Sequence, residues 1–298
     1  MNQLGRRNVI MRLFYGVLMA AMLFVRLAQA QETKPFCQIL DGTEEPAWMA
    51  YLDYTGPSRV KVEGGKNVSR WNVGGGGGLY YWRTGVGDVD LAGAYDFYFW
   101  DGSGGIDLPD RTVALRLGAD YVARYWDGSA LLVGIRPGIY SDTEEISIDS
   151  FYVPIEALGI QAFNPQISGV IGAAIYPGFD RAFDPRFGVR VAAAESIRVD
   201  LMYPETRVIF RPADWEFFGG LRHEAVNEFR LEDDDPRKMI GYRETRAYIG
   251  GAWAIGDAVR MQAEVGWNFN REVDFKREAS GRDIEDALSV RIGIGGGL

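Results

Sequence analysis

Val259-Arg260-Met261-Gln262-Ala263-Glu264-Val265-Gly266-Trp267-Asn268-Phe269-Asn270 decides how this chain is read. Val259, Met261, Ala263, Val265, Trp267 and Phe269 share one parity, while Arg260, Gln262, Glu264, Gly266, Asn268 and Asn270 share the other. A period of two is the signature of a strand with one apolar and one polar face, and no helix produces it. The stretch outruns the roughly 5–6 residues of an ordinary globular strand. It supplies the roughly 9–11 residues that a tilted strand needs to cross a bilayer. The pattern recurs upstream, with Val89, Leu91, Gly93, Tyr95, Phe97 and Phe99 opposing Asp90, Ala92, Ala94, Asp96, Tyr98 and Trp100. It recurs again at the C-terminal end, where Leu288, Val290, Ile292 and Ile294 oppose Ser289, Arg291, Gly293 and Gly295.

Extending the same reading outward gives segments at 46–55, 67–83, 87–101, 110–125, 129–141, 147–163, 167–177, 186–194, 196–203, 205–212, 214–231, 239–255, 258–275 and 285–298. Short connectors such as Thr84-Gly85-Val86, Asp127-Gly128, Asn164-Pro165-Gln166 and Gly256-Asp257 alternate with longer loops. Short turns on one side and long loops on the other are the habit of outer-membrane barrels. The expected fold is therefore all-β: an antiparallel transmembrane β-barrel of about 14 strands, or about 12 if the tight Tyr203-Pro204-Glu205 connection marks two incomplete spans. Trp71, Tyr80, Tyr81, Trp82, Trp100, Tyr125, Trp126, Tyr140, Phe163, Tyr176, Tyr203, Trp215 and Tyr242 fall near strand ends, where aromatic girdles would sit at the lipid–water boundaries.

Composition agrees with that class. The chain has 298 residues with 38 Gly, 8 Trp, 15 Tyr and 16 Phe, so glycine is near twice its usual share of roughly 7% in a chain also rich in rings. That excludes both a disordered tail and collagen. A single cysteine, Cys37, excludes a disulfide scaffold and thiolate metal centres, and a single histidine, His223, removes most histidine-based sites. Arg6, Arg7 and Arg12 precede an apolar run from Leu13 to Val25 that ends in Ala28-Gln29-Ala30, the order of a secretory signal peptide. Residues 1–30 are thus read as a signal peptide, 31–45 as a periplasmic lead-in and 46–298 as the barrel. Removing that signal takes away four arginines and no acid, which moves the formal net charge from −9 to −13. Such a balance argues against a nucleic-acid partner.

The polar parity describes the inside. Arg116, Asp120, Arg198, Asp200, Arg222, Glu224, Glu228, Arg230, Arg260, Glu264 and Arg291 are expected to line the lumen, with Asp90, Asp96 and Asp286. Mixed charges at this density cannot fill a dry core, where each unpaired ion would cost several kcal/mol. They fit a wet lumen in which opposite charges pair between neighbouring strands. Glu244, Arg246, Arg207 and Arg211 are the expected partners of the 222–230 charges, and dense pairing would narrow the passage.

Other features carry less chemistry. Gly74 to Gly78 lack the helix start and Lys-Ser/Thr of a phosphate loop, so they are read as bare backbone that makes room for large rings of neighbouring strands or allows sharp curvature. His223 falls on the lipid-facing parity with Glu224 and Ala225 as neighbours, which is poor geometry for a base. Asp233-Asp234-Asp235 and Asp142-Thr143-Glu144-Glu145 lack EF-hand spacing and are read as solvated loop charge. No catalytic residue, cofactor or metal is expected.

Ile197-Arg198-Val199-Asp200-Leu201-Met202-Tyr203-Pro204-Glu205-Thr206-Arg207-Val208-Ile209-Phe210, with Trp215, Gly219-Gly220, Phe229-Arg230-Leu231, Tyr242-Arg243, Gly250-Gly251, Glu264-Val265-Gly266-Trp267 and Arg271, resembles an uncharacterised family of bacterial outer-membrane β-barrel proteins. The resemblance covers roughly 40–298 and is most specific over 185–275. It implies an outer-membrane location and a barrel, and it brings no activity or functional residues. Outer-membrane lipid, the barrel-assembly machinery and periplasmic chaperones are the expected partners. A narrow, porin-like pore for small solutes is the first reading. A structural or envelope-interaction barrel with a closed, salt-bridged lumen is the second, and an outer-membrane hydrolase the third.

Overall fold

The alternating segments assemble into one antiparallel sheet of 14 staves that closes on itself. The structure, a computed structural model, describes residues 48–296 apart from 103–107, 126–127, 144–145, 147, 180–181, 232–238, 257–258 and 276–280. The expected signal peptide, the lead-in with Cys37, and Asp233-Asp234-Asp235 lie outside the described residues.

In chain order the staves are β1 (Trp48–Arg59), β2 (Asn67–Arg83), β3 (Asp88–Asp101), β4 (Arg111–Arg124), β5 (Ser129–Ile135, resuming at Gly138–Ser141), β6 (Phe151–Tyr152, resuming at Ile155–Asn164) and β7 (Ile167–Ile175). They continue as β8 (Phe183–Ala194), β9 (Ile197–Tyr203), β10 (Glu205–Phe210), β11 (Trp215–Arg230), β12 (Met239–Ile255), β13 (Val259–Phe275) and β14 (Arg282–Ile284, resuming at Ala287–Gly296). Each pairs with its neighbour in sequence, and Leu52 of β1 stands opposite both Val73 of β2 and Ile292 of β14, which closes the ring. The 12-strand alternative is excluded, because Asp200 of β9 is in register with Arg190 of β8 and with Arg207 of β10. Both short segments are staves of the wall.

The polarity of the wall is the reverse of a soluble protein's. Ile171 (74% exposed), Ile249 (72%), Leu117 and Leu288 stand outward on mid-strand positions, while Arg246, Arg271 and Glu244 are wholly buried inside. Rings at strand ends, among them Trp82, Tyr125, Phe163 and Trp215, remain exposed as a girdle requires. Trp100, Tyr140 and Tyr242 do not: they turn inward and are buried. The glycine run makes room for rings. A Cβ at Gly74 would collide with the Tyr51 ring and the Asp96 carboxylate, and one at Gly75 would lie 2.6 Å from the Met49 carbonyl oxygen and 2.9 Å from the Tyr95 hydroxyl.

The wall is uneven in height. β2, β12 and β13 have 17 residues each, whereas β9 has 7 and β10 has 6. Glu205 at the top of the short pair is level with Arg222 and Arg246, seven residues below the upper end of β12 at Met239, so at roughly 3.3 Å per residue the long wall rises about 23 Å above it along the strand. On that upper level β5 and β11, far apart in strand order, meet in parallel at Ser141 and Arg230, where the Asp142 amide donates to the Arg230 carbonyl at 3.0 Å. The upper part is thus a smaller collar made by β1–β5 and β11–β14, with β6–β10 left out of it.

Two irregularities shape the collar. On β13, Asn270 adopts φ of 49° at a register shift against β12, so even-numbered residues are buried up to Asn268 and odd-numbered ones from Arg271 onward. A second shift on β11 between Glu224 and Asn227 does the same for Phe229. Such bulges re-aim every side chain beyond them. Above them Val273, Phe275, Phe229 and Leu231 join Trp100, Tyr140, Tyr242 and Ile240 in one apolar cluster that fills the collar.

Candidate functional site: the barrel interior

Three layers fill the inside. The uppermost is the apolar cluster, in which Tyr98 meets Phe229 edge to face at 5.4 Å and Trp100 meets Tyr242 at 5.2 Å. Directly beneath lies a dry layer of charge. Glu244 accepts from Arg70 at 2.8 Å, from Asn268 at 2.8 Å and from Arg246 at 3.3 Å, and also pairs with Tyr242 and, at 3.5 Å, Arg271. Asp53 accepts from Arg246 and from Arg291, both at 2.7 Å. The Arg70 guanidinium lies over the Tyr242 ring at 4.2 Å, joining the two layers. Arg70, Glu244 and Arg246 show at most 2% of their side-chain surface, so these ions survive only because they are mutually paired.

The third layer holds space. A cavity of about 560 Å³ lies among β1–β4, β6–β11 and β14, bordered by Tyr51, Asn72, Asp96, Arg116, Arg186, Arg190, Glu205, Arg222, Glu224 and Arg291. A second, of about 250 Å³, lies toward the short-turn end, bordered by Arg198, Arg207, Arg211, Glu216, Arg260, Gln262 and Glu264, and again by Arg222 and Arg291. Those two arginines are the partition. Arg222 donates to Glu205 at 3.0 Å, lies 3.6 Å from Glu264 and sits over the Tyr248 ring at 4.7 Å. Arg291 is held by Asp53, lies 3.9 Å from Glu224 and covers the Tyr51 ring at 4.8 Å.

The sequence-predicted lumen residues fall into these layers unevenly. Arg116, Arg222, Glu224 and Arg291 border the large cavity, and Arg198, Arg222, Arg260, Glu264 and Arg291 border the small one. Asp120 is buried against Arg136 at 3.4 Å, and Asp200 is held between Arg190 at 2.7 Å and Arg198 at 3.2 Å. Glu228 and Arg230 are not brought to the cavities. The β11 shift gives the inward parity to Phe229, and Arg230 instead lies 3.6 Å from Asp149 of the short helical turn Ile148–Ser150. Asp286 is exposed and accepts from the outward indole of Trp267 at 3.3 Å, because the β14 strand is interrupted there. The expected ion pairs also regroup: Arg207, Arg211 and Arg260 converge on Glu216 at 3.2, 2.7 and 2.9 Å. Asp53, Arg70 and Arg186 also face the interior, and for Arg70 the alternation of Arg70-Trp71-Asn72 carries the signal in the sequence.

His223, expected to face lipid, lies midway along β11 and borders the large cavity, with Nδ1 3.1 Å from the Thr245 hydroxyl and its ring 5.8 Å from that of Tyr203.

No curated protein matches this chain. Among solved structures it is similar to the KdgM porin (TM-score 0.35, 8% identity, 84% of this chain and 99% of that one). It is similar also to an outer-membrane channel from Pseudomonas putida F1 (0.42, 13%, 89% and 100%) and to outer-membrane phospholipase A from Escherichia coli (0.40, 11%, 89% and 93%). The family model described as "Domain of unknown function (DUF6268)" matches residues 107–281, more than half the chain and most of the wall from β4 to β13, and the chain belongs to that family.

Proposed function

We propose that this barrel sits in the outer membrane and acts as a narrow, non-enzymatic pore for small polar solutes. The observation that carries the reading is the pair of cavities, about 560 and 250 Å³, that meet at Arg222 and Arg291 inside a lipid-facing wall. A barrel needed only as an envelope element gains nothing from polar space on both sides of a two-arginine partition. Outward aliphatic residues at mid-strand with rings at the strand ends support the location. The apolar filling of the collar favours the second reading, a closed structural barrel, and a flux measurement separates the two. Purified protein in liposomes is expected to let amino acids and monosaccharides, but not oligosaccharides, drive swelling, with a single-channel conductance well below the nanosiemens range. Replacing both Arg222 and Arg291 by Ala is expected to raise that conductance several-fold. Absence of swelling in the wild type together with no gain in the double variant leaves the closed-barrel reading standing instead.

A further inference from the structure

The collar is filled on its axis, yet the large cavity lies to one side, below staves that never reach the collar. Between β8 and β11 the intervening wall is the β9–β10 hairpin, and it ends at Tyr203-Pro204-Glu205, where the His223 amide donates to the Pro204 carbonyl at 2.8 Å. Above that point Phe183 to Arg186 of β8 have strand partners only on β7, since pairing with β9 begins at Phe187. On β11, pairing with β10 stops at Arg222 and pairing with β5 occurs only at Arg230. Among the described residues, no strand covers the β11 edge between those two positions. An open strand edge is not tolerated against hydrocarbon, because each unpaired backbone group there costs several kcal/mol, so such a gap belongs at a wetted level. Phe187 and Tyr203 stack at 5.8 Å on the outer surface beside it, and both, with Pro204 and His223, also border the cavity. The cavity therefore abuts the gap.

We propose that the outer mouth of this pore is lateral: a wetted window above the Tyr203-Pro204-Glu205 turn, between β8 and β11, through which water-soluble polar solutes reach the lumen while the collar axis stays shut. The class of solute follows from the lining. Five arginines and five carboxylates face the cavity, and buried polar atoms with unused bonding capacity are of both kinds, Asn72 Oδ1 and Asp184 Oδ1 as acceptors and Arg116 Nε and Arg222 Nη1 as donors. A site offering both signs suits zwitterions and polyhydroxylated neutral molecules better than hydrocarbons or highly charged ions.

The proposal rests on the pore reading, and its test keeps the two apart. In a Cys37→Ser chain, Met202→Cys places a thiol on the cavity wall at the window. Attaching a bulky, disulfide-forming reagent to the folded protein is expected to slow glycine- or glucose-driven swelling at least about five-fold, and reduction is expected to restore it. Phe229→Ala, which loosens the collar core, is expected to leave the rate within about two-fold. An adduct without effect, together with faster swelling of Phe229→Ala, overturns the lateral route and leaves the pore reading intact. If the wild type does not swell and the Arg222→Ala, Arg291→Ala double variant shows no gain, the pore reading fails, and the window is judged by labelling. Val170→Cys, on the cavity wall two strands from Met202 and level with it, is expected to react with a membrane-impermeant thiol reagent added outside whole cells. Failure to react, in protein shown to be folded by its resistance to protease, overturns the window.

Discussion

Glu244 shows how much a single side chain in this barrel is asked to hold. Its carboxylate faces Arg70, Arg246 and Arg271 and receives Asn268 and Tyr242, with no exposed surface of its own. Removing one member of a buried ionic cluster leaves the others uncompensated, at a cost of about 3–5 kcal/mol. Glu244→Leu is therefore expected to lower the unfolding free energy of the detergent-folded barrel by that amount, read from the shift of its urea transition by tryptophan fluorescence, and Glu244→Gln by less because Asn268 and Tyr242 keep their partners. Gly74 is the steric counterpart. Its missing Cβ leaves room for the Tyr51 ring and the Asp96 carboxylate, so Gly74→Val is expected to destabilise by about 1–3 kcal/mol through overpacking. An unchanged midpoint would mean that Tyr51 simply turns away.

Whole strands were legible in the sequence wherever the alternation ran unbroken, and illegible past a bulge. The segments expected at 67–83, 239–255 and 258–275 coincide with β2, β12 and β13 to within a residue. The alternation of 259–269 also assigns its two faces as found: Val265 and Trp267 are exposed while Glu264 and Asn268 are buried. Beyond Asn270 the chain still alternates by eye, but the backbone has inserted a residue and the inward set changes from even to odd. The same event on β11 moved Glu228 and Arg230 off the expected lumen face and brought Phe229 in. Nothing in the composition of Asn268-Phe269-Asn270-Arg271 announces a shift except an asparagine, a residue that tolerates the left-handed region better than most. Asn270 therefore has a testable role as an element-level switch. Asn270→Gly is expected to be nearly neutral, whereas Asn270→Val, whose branched Cβ resists positive φ, is expected to cost about 1–2 kcal/mol and to loosen the collar core. Equal stability of the two variants would argue that the register shift does not depend on this backbone conformation.

At the scale of the molecule, the acidic chain and its lumen part company. The formal net charge is −9, yet the large cavity is faced by equal numbers of arginines and carboxylates. Counting charges along the sequence could not separate these two quantities, because Glu228, Arg230 and Asp286 contribute to the total without reaching the cavity. Ion selectivity follows the potential along the path and not the charge of the whole chain, since exposed charges beyond about 8–10 Å are screened at physiological salt. The reversal potential in a KCl gradient is therefore expected to lie close to zero, in contrast to the strong cation preference that the net charge alone would suggest. The balance can be tipped from either side. Glu205 touches Arg222 at the partition and Arg186 touches Asp184 higher in the cavity, at 3.0 Å in each case. Glu205→Gln is expected to shift the reversal potential toward anions, and Arg186→Gln toward cations, with both shifts shrinking as salt is raised. A wild-type channel that is strongly cation-selective, and stays so in Glu205→Gln, would place the conducting path somewhere other than this cavity.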